Sequence, residues 1–446
     1  MTTAEQIRAI APKGVIMCGE ARSASGVLDA GVLDMDIPVL ALGHAAHMML
    51  AAMGGASADS ALTQKTASIE YGESELFEGI ASGERFIEEA LMLMLPPDVQ
   101  MSASAAGCTI AFQKPEKKLY GVQFELERND LEGTAILKNF ARIVCGCEPW
   151  WTMEAAQQQA MDKLEAAAAA GGNAICAVSG GVDSAVAALL AYRAFGERMS
   201  AVFVDTGLLR EGEADAVEQL FTGMGVPVQR VDRSAEVLEA LRGKRSMTEK
   251  RDIVAGFLHG EMLREAGARG GTSTLVLGAN LTDMLQSGAY HEQWDECGMN
   301  VVEPLAQLFK GEVRDLATAL GMDAEWVGRK PFPKLGLGAR IIGEVTQERL
   351  QALRLAESIF AREIGEAGLE RKLYKYFPVL AGGMPLMTGE MIILRAVTMS
   401  GAQLNPARLP YDLIERVTQE ILTQCPQICR VFCDQTPTPV GRETFF

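Results

Sequence analysis

The feature that most constrains the fold is a short apolar run that leads into a glycine-containing turn. Residues Ala174–Val178 are followed by Ser179-Gly180-Gly181-Val182-Asp183-Ser184, and an alanine- and leucine-rich segment then continues to about Gly196. This pattern predicts a strand, a tight loop and a helix. Two adjacent glycines let a backbone bend sharply and approach a ligand closely, and the first N–H groups of a helix attract anions. The loop is therefore a candidate phosphate or pyrophosphate site.

The spacing of this loop separates it from the common nucleotide-hydrolysing loop. That loop reads Gly-x-x-x-x-Gly-Lys-Ser/Thr and carries a lysine for the γ-phosphate, which is missing here. A different cleavage of the nucleotide is therefore expected. The simpler alternative is that Ser179 or Asp183 only caps the following helix.

Composition limits the classes of function. A chain of 446 residues predicts two or three domains, and a formal charge of −17 disfavours binding to long nucleic acids. The sequence contains no apolar run of membrane-spanning length and no secretion signal at its start, which predicts a cytoplasmic protein. Nine cysteines without a regular framework indicate reduced thiols, and four histidines make a histidine-based metal site improbable.

Apolar runs alternate with helical patterns along the chain. After the loop, strands are predicted at Met199–Asp205, Val226–Val231 and Ser273–Leu277, with a helix at Thr248–Glu265. Strands separated by helices predict a doubly wound parallel sheet with its ligand at the carboxyl ends of the strands. The first 150 residues show a similar α/β pattern. Its predicted strands are 14–17, 37–42 and 119–124, its helices are 44–53 and 133–143, and a helix at 150–170 connects it to the sheet.

Ser-Gly-Gly-x-Asp-Ser after a strand resembles the loop of the ATP-pyrophosphatases, which cleave ATP between the α- and β-phosphates to adenylylate a substrate oxygen. Together with Val202–Arg210, Val302–Leu305 and Leu308–Arg314, it resembles the ATP-pyrophosphatase domain of the GMP synthase family. The resemblance covers nearly the whole chain. It implies an amidotransferase-like α/β domain at 1–149, an ATP-pyrophosphatase domain at 150–329 and an α+β dimerisation domain at 330–446.

The resemblance also implies residue roles. ATP is the implied cofactor with Mg²⁺, and Asp183 and Asp283 are the implied metal ligands. Asp183 and Ser184 are the expected catalytic residues. The ATP-binding set is Ser179, Gly180, Gly181, Val182, Asp183, Ser184, Val204, Asp205, Gly207 and Gly278. The set expected to bind the second, XMP-like nucleotide is Arg210, Lys334 and Arg442.

The first domain resembles a class I glutamine amidotransferase that has lost its chemistry and the family's opening strand and helix. Gly43 stands where the family has its nucleophilic cysteine, and Glu125 replaces the general-base histidine, although Glu127 is kept. Without nucleophile and base there is no route to a thioester from glutamine. Nitrogen is therefore expected as ammonia, free or from a separate glutaminase subunit. A rearranged pair of His44 with Cys18 or Cys108 is the alternative.

The loops around the acceptor depart from the family. Gln286 replaces a glutamate, the segment around His291 is short and acidic, and the terminal segment ends in a different sequence. The resemblance of the last domain implies a homodimer. The expected reaction adenylylates a nucleotide carbonyl and replaces it with nitrogen, releasing AMP and pyrophosphate. Two alternatives stay open: an ATP-pyrophosphatase with another acceptor, such as thiolation through Cys297 or Cys429, and a non-catalytic regulatory paralogue.

Overall fold

The chain folds into two compact units, residues 1–150 and 151–446. The structure is a computed structural model. It describes residues 3–18, 28–124, 126, 131–287, 294, 297–329, 332, 335–382, 389–400 and 403–439. Within these ranges no helix is both long enough and apolar enough to cross a lipid bilayer.

The first unit is built on one seven-stranded sheet with the order β1-β2-β7-β6-β5-β3-β4. Its helices are α1 (Ala4–Ile10), α2 (His44–Ala52) and α3 (Leu131–Asn139). Its strands are β1 (Val15–Met17), β2 (Val39–Leu42), β3 (Ala56–Tyr71), β4 (Gly83–Met94), β5 (Gln100–Ala105), β6 (Cys108–Lys114) and β7 (Leu119–Val122). Strands β1, β2 and β7 are parallel, whereas the others pair antiparallel.

The predicted α/β class of the first unit is confirmed, but four of the seven strands of its sheet were not predicted. The three predicted strands are present as β1, β2 and β7, with shorter bounds. The antiparallel strands β3 to β6 were missed. Strand β3 is rich in Ala, Ser and Thr and contains few large apolar side chains, so its hydrophobic alternation is weak.

The second unit contains two sheets. Its helices are α4 (Met153–Ala169), α5 (Val182–Phe195), α6 (Glu213–Gly223), α7 (Ser234–Ala240), α8 (Met247–Arg269), α9 (Leu281–Ser287), α10 (Lys310–Ala319), α11 (Ala324–Val327), α12 (Gln347–Glu366) and α13 (Tyr411–Gln424). Its strands are β8 (Asn173–Val178), β9 (Met199–Asp205), β10 (Val228–Asp232), β11 (Thr272–Val276), β12 (Asn300–Val302), β13 (Lys375–Ala381), β14 (Glu390–Ser400), β15 (Gln403–Pro406), β16 (Ile428–Cys433) and β17 (Thr438–Pro439).

The first of these sheets is parallel throughout and has the order β10-β9-β8-β11-β12. Both faces are covered, as a parallel sheet requires. Cys176 of β8 packs into the core formed with α4, α5 and α10, whereas the neighbouring Ile175 faces Met262 and Ala266 of α8. The predicted doubly wound sheet is confirmed. The third strand begins two residues later than predicted, and α8 extends beyond the predicted helix at both ends.

The C-terminal sheet carries helices α12 and α13, and the predicted α+β character is confirmed. Strand β14 pairs antiparallel with β13 and β15 and parallel with β16. Apolar residues of both helices, such as Phe360 and Val417, share one core with Ile392 and Leu394 of β14. The domain boundaries predicted after residues 149 and 329 stay predictions.

Candidate nucleotide site

The loop between β8 and α5 is held by the side chain of Ser184. Its hydroxyl accepts a hydrogen bond from the Ser179 N–H at 3.0 Å and donates one to the Gly181 carbonyl at 3.0 Å. The Ser184 side chain is buried. Ser184 therefore fixes the shape of the loop, at the end of a parallel strand and at the start of a helix, where anions bind.

The glycines of the loop allow close packing. A Cβ at Gly180 would lie 2.9 Å from Cγ2 of Val217, and one at Gly278 would lie 2.8 Å from the backbone N of Ser184. Neither Gly180 nor Gly181 has a positive φ; Gly181 is extended, with φ −86° and ψ 149°. At Gly180 and Gly278 the close neighbours, rather than the backbone conformation, therefore disfavour a side chain.

Lys310 and Asn280 hold the carboxylate of Asp183. The Lys310 ammonium forms an ion pair with Oδ2 of Asp183, and Nδ2 of Asn280 donates to its Oδ1 at 3.3 Å. The Asp283 carboxylate in turn accepts from the Asn280 N–H at 3.3 Å. Asn280 thus joins the two aspartates that were expected to bind a metal. The sequence analysis missed both Lys310 and Asn280, although it noted the motif that contains Lys310.

The donor set at this position suits Mg²⁺ that arrives with a nucleotide. Asp183 and Asp283 supply carboxylate oxygens, and Mg²⁺ is commonly held by one or two carboxylates together with substrate phosphates and water. Among the described residues no group of three or more His, Cys, Asp or Glu side chains could hold a metal on its own. A metal held by Asp183 and Asp283 would take its remaining ligands from phosphate oxygens and water.

At the end of β9, Asp205 is engaged by its own turn and by the next strand. Its Oδ1 accepts from the Gly207 N–H at 2.9 Å, and its Oδ2 accepts from Nη2 of Arg230 at 2.6 Å. This hydrogen bond raises the pKa of Arg230. Gly207 has φ +73°, and a Cβ there would lie 2.6 Å from Cβ of Ser234. Asp205 and Gly207 therefore shape the turn that follows Val204, which leaves the Val204 backbone as the candidate contact for an adenine.

Arg210 belongs to a network of buried charges. Its Nε donates to Oε1 of Glu357 at 2.8 Å, and Nη1 of Arg340 donates to Oε2 of the same carboxylate at 2.7 Å. The Phe332 ring lies 4.5 Å from Cζ of Arg210 and 5.3 Å from Cζ of Arg340. Burial lowers the pKa of Arg340. The predicted nucleotide-binding residue Arg210 is therefore held by the Glu357 carboxylate, which Arg340 also binds.

A second branch of the network runs beside the loop at Gly180. Nη2 of Arg329 donates to Oε1 of Glu213 at 2.9 Å, and Oε2 of Glu213 accepts from the Arg210 N–H at 3.2 Å. Nη1 of Arg329 is buried and has no hydrogen-bond partner in the part of the chain that the structure describes. Burial lowers the pKa of Arg329. The sequence analysis assigned no role to Arg329, Arg340, Glu213 or Glu357, although Arg340 lies in the family-like run Leu335–Thr346.

Two of the predicted substrate residues, Lys334 and Arg442, lie outside the described residues, as do Glu125, Glu127 and His291. The side chain of Gln286 also lies outside them. The structure therefore brings together the loop, Asp183, Asp283 and Arg210, while the proposed roles of Lys334 and Arg442 stay predictions.

Comparison with known proteins adds the family. A model of the NAD synthase family matches residues 153–349, which contain the parallel sheet and the loop. The glutamine-hydrolysing GMP synthase of Caldanaerobacter subterraneus subsp. tengcongensis is 35% identical, with 98% of this chain and 91% of that protein covered. That of Geobacillus kaustophilus is 34% identical with the same coverage, and that of Bacillus thuringiensis subsp. konkukian is 33% identical over 98% of this chain and 90% of that protein. The chain belongs to the glutamine-hydrolysing GMP synthase family. The predicted family is confirmed, and with it an ATP-dependent ligase of purine biosynthesis that uses ATP.

The first unit of this GMP synthase family member retains a strand-to-helix elbow without a nucleophile. Gly43 stands between β2 and α2 with φ 54° and ψ −121°, and its N–H donates to the Val122 carbonyl at 2.8 Å. No atom lies within 4 Å of the position that a Cβ would take. A nucleophile elbow is a strained turn of this kind that exposes a catalytic side chain. At Gly43 the backbone adopts such a turn, but glycine has no side chain to expose.

The alternative glutaminase pair is not assembled within the described residues of this GMP synthase family member. His44 follows the elbow, but its ring makes no hydrogen bond to the thiol of Cys18 or Cys108 there. Its ring centroid lies 6.4 Å from that of His47. Burial lowers the pKa of His47, which keeps that ring neutral.

Proposed function

We propose that this protein is an AMP-forming ligase that aminates a purine nucleotide of the XMP type with ammonia and has lost glutamine hydrolysis. The observation that carries the proposal is the loop Ser179–Ser184 at the carboxyl end of β8, with Asp183 paired to Lys310. The family relationship supports the reaction class, since the relatives are GMP synthases.

The reaction has two bond exchanges. The carbonyl oxygen of the acceptor base attacks the α-phosphorus of ATP, and the bond to the β-phosphate oxygen breaks, so that pyrophosphate leaves. Ammonia then adds to the activated carbon, loses a proton, and expels AMP, which carries the former carbonyl oxygen. Neither exchange changes an oxidation state, so the reaction needs no redox partner.

The loop would bind the β- and γ-phosphates with its backbone N–H groups, aided by the positive end of the α5 dipole. Lys310 would neutralise phosphate charge once the Asp183 carboxylate has left it to bind a metal ion. Mg²⁺ bound by Asp183 and Asp283 would supply charge neutralisation for the pyrophosphate leaving group. Arg210, Lys334 and Arg442 would bind the acceptor nucleotide, and the Val204 backbone with Gly207 would receive the adenosine.

The proposed loss of glutamine hydrolysis rests on Gly43. A thioester route needs a nucleophile and a general base, and by the family resemblance the sequence has Gly43 and Glu125 in place of these two residues. Ammonia would therefore come from solution or from a separate glutaminase subunit. The last 117 residues would form the dimer contact by their family resemblance, and light scattering in solution tests the homodimer.

A pyrophosphate-release assay with ATP, Mg²⁺ and a panel of nucleotides tests the proposal. We expect release with XMP and ammonium, and none above background with glutamine as the nitrogen source. Glutamine-driven turnover by the isolated chain would contradict the loss of glutaminase activity. Pyrophosphate release only with a nucleotide other than XMP would contradict the proposed acceptor. Release only with a sulfur donor would contradict ammonia as the proposed donor. Binding of ATP without any release would favour a regulatory paralogue.

A further inference from the structure

The loop that carries Arg210 is held by helix α12 and by the segment before it. Nε of Arg354 donates to the Leu209 carbonyl at 2.7 Å, and its Nη2 donates to the Gly207 carbonyl. The Leu337 N–H donates to the Leu208 carbonyl at 2.7 Å. Three consecutive carbonyls of one loop are thus bound by a segment that lies more than a hundred residues away in the sequence.

The approach of the two segments leaves no space between them. Gly336 has φ +59°, and a Cβ there would lie 2.3 Å from the Leu208 carbonyl oxygen. An L-residue with a side chain is disfavoured at this backbone conformation and would also collide with the loop. The contact between the loop and the C-terminal segment is therefore part of the folded architecture of the second unit.

Glu357 adds side-chain orientation to this backbone support. It lies three positions after Arg354 on α12, so that both side chains leave the same helix face. The Glu357 carboxylate is buried, with 7% of its side chain exposed, and it binds Nε of Arg210 with one oxygen and Arg340 with the other. An unpaired buried carboxylate is strongly unfavourable, so this carboxylate keeps both arginines in place.

Arg210 has unused donors after this pairing. Its side chain is 25% exposed, and its two Nη atoms form no hydrogen bond within the described residues. A guanidinium whose Nε is fixed presents its two remaining amino groups in a defined direction, which suits an oxyanion. The bond to Glu357 therefore determines where these two groups point.

We propose that Glu357 is a positioning residue for the acceptor nucleotide: it aims the free amino groups of Arg210 at an anionic group of that nucleotide, on a loop that Arg354 holds. This inference rests on the proposed function for two points: the identity of the acceptor, an anionic purine nucleotide, and the role of Arg210 in binding it. Glu357 itself does not touch the acceptor. Its effect on the acceptor is exerted through Arg210, to which it is bonded.

The test measures XMP binding to the full chain by calorimetry in the presence of Mg²⁺ and a non-cleavable ATP analogue, and compares Glu357→Gln with wild type. A hydrogen bond between charged groups contributes about 1.5 to 3 kcal/mol. We therefore expect XMP to bind about 10- to 100-fold more weakly. Affinity for the ATP analogue should stay within about twofold, because the site of the loop at Ser179 is untouched.

Glu363→Gln is the matched control. Glu363 lies on the same helix, is buried to a similar degree, and pairs with Arg416 at 2.8 Å and Arg362 at 3.2 Å. Its loss removes a comparable ion pair without contact to Arg210, so XMP affinity should be unchanged. Equal weakening by both variants would reduce Glu357 to a structural role and overturn the inference.

A double-variant cycle tests whether Glu357 acts through Arg210. Arg210→Gln should weaken XMP binding, and adding Glu357→Gln should weaken it by no more than about twofold further, since the effects of coupled residues are not additive. Fully additive losses would overturn the inference. If Glu357→Gln does not fold, Glu357→Asp, which keeps the charge on a shorter side chain, takes its place with the same expected direction.

The two hypotheses fail in different ways. Wild-type protein that binds XMP but releases no pyrophosphate would defeat the proposed ligase function, while the binding comparison still decides the role of Glu357. Wild-type protein that releases pyrophosphate but whose XMP affinity is unchanged by Glu357→Gln would overturn the inference and leave the ligase function standing. Wild-type protein that binds no XMP would overturn both.

Discussion

Lys310 and Asp183 are 127 positions apart in the sequence, and their side chains form an ion pair at the start of α5. The pair is partly exposed, with 33% of the lysine side chain and 18% of the aspartate side chain accessible. A cation and a carboxylate in contact at a phosphate loop can exchange partners when a nucleotide with its metal arrives. In the proposed function, the aspartate would then bind the metal ion and the lysine would bind the phosphates.

Lys310→Met is expected to lower kcat/KM for ATP by about 10²- to 10³-fold, the usual loss when one preorganised donor to developing charge is removed. Initial rates of pyrophosphate release measure this loss. Lys117→Met is the control, because Lys117 forms a lysine–aspartate pair with Asp34 on the surface of the first unit and should leave the rate unchanged. Activity close to wild type in Lys310→Met would remove this lysine from phosphate binding.

Gly278→Ala is expected to raise the KM for ATP and to lower the free energy of unfolding by about 1 to 3 kcal/mol, the range for overpacking. The added methyl group would lie 2.8 Å from the backbone of Ser184 and displace the loop. Urea unfolding and ATP titration measure the two effects. Gly260→Ala is the control, because no atom lies within 4 Å of the new methyl group. Alanine has a higher helix propensity than glycine, so this change in the middle of α8 should raise the free energy of unfolding by about 1 kcal/mol. An unchanged KM in Gly278→Ala would show that the loop tolerates displacement.

Gly43→Cys is expected to fold and to react with a thiol-alkylating reagent without gaining glutaminase turnover. Space for the side chain exists at the elbow, but the residue at the position of the general base is Glu125. Mass spectrometry of the alkylated protein and ammonia release from glutamine measure the two properties. Because the chain has nine other cysteines, wild-type protein alkylated in parallel gives the background. Steady ammonia release by the variant would show that a base is already in place.

Lys250 predicts a dependence of stability on pH. Its side chain is fully buried, its Nζ donates to the Ile341 carbonyl at 2.7 Å, and burial lowers the pKa of this lysine to about 8. The unfolded chain then holds this proton more tightly than the folded chain, so the stability rises with pH between about 8 and 10.5. From pH 7.5 to 9.5 wild type should gain about 2 kcal/mol relative to Lys250→Met.

Urea unfolding at the two pH values measures this gain. The comparison with Lys250→Met cancels the titration of other groups, and Lys244→Met is measured in parallel as a control at a lysine with 43% of its side chain exposed. A constant difference between wild type and Lys250→Met would contradict the lowered pKa.

The parts of the fold that were predictable from the sequence are those with strong local signals. Strand β9 was predicted at its observed bounds because it is a continuous apolar run that ends in Asp205. Strand β3 was missed because its residues are small and mostly polar, and it is defined by pairing with β4 and β5 rather than by its own alternation.

The site was predictable to a similar extent. The loop at Ser179 is local and was recognised, together with Asp183 and Arg210. Glu357, Arg340 and Arg329 were not recognised, because their roles arise only when α12 and the segment before it meet the loop after β9. A buried ion pair between distant segments leaves no spacing pattern in a single sequence.

The turn at Gly43 has a consequence for the first unit as a whole. A residue with a side chain in a sparsely populated backbone region costs on the order of 1 to 3 kcal/mol, which an active glutaminase must tolerate at its nucleophile. Glycine occupies φ 54° and ψ −121° without that burden. The first unit is therefore spared this cost at the turn between β2 and α2.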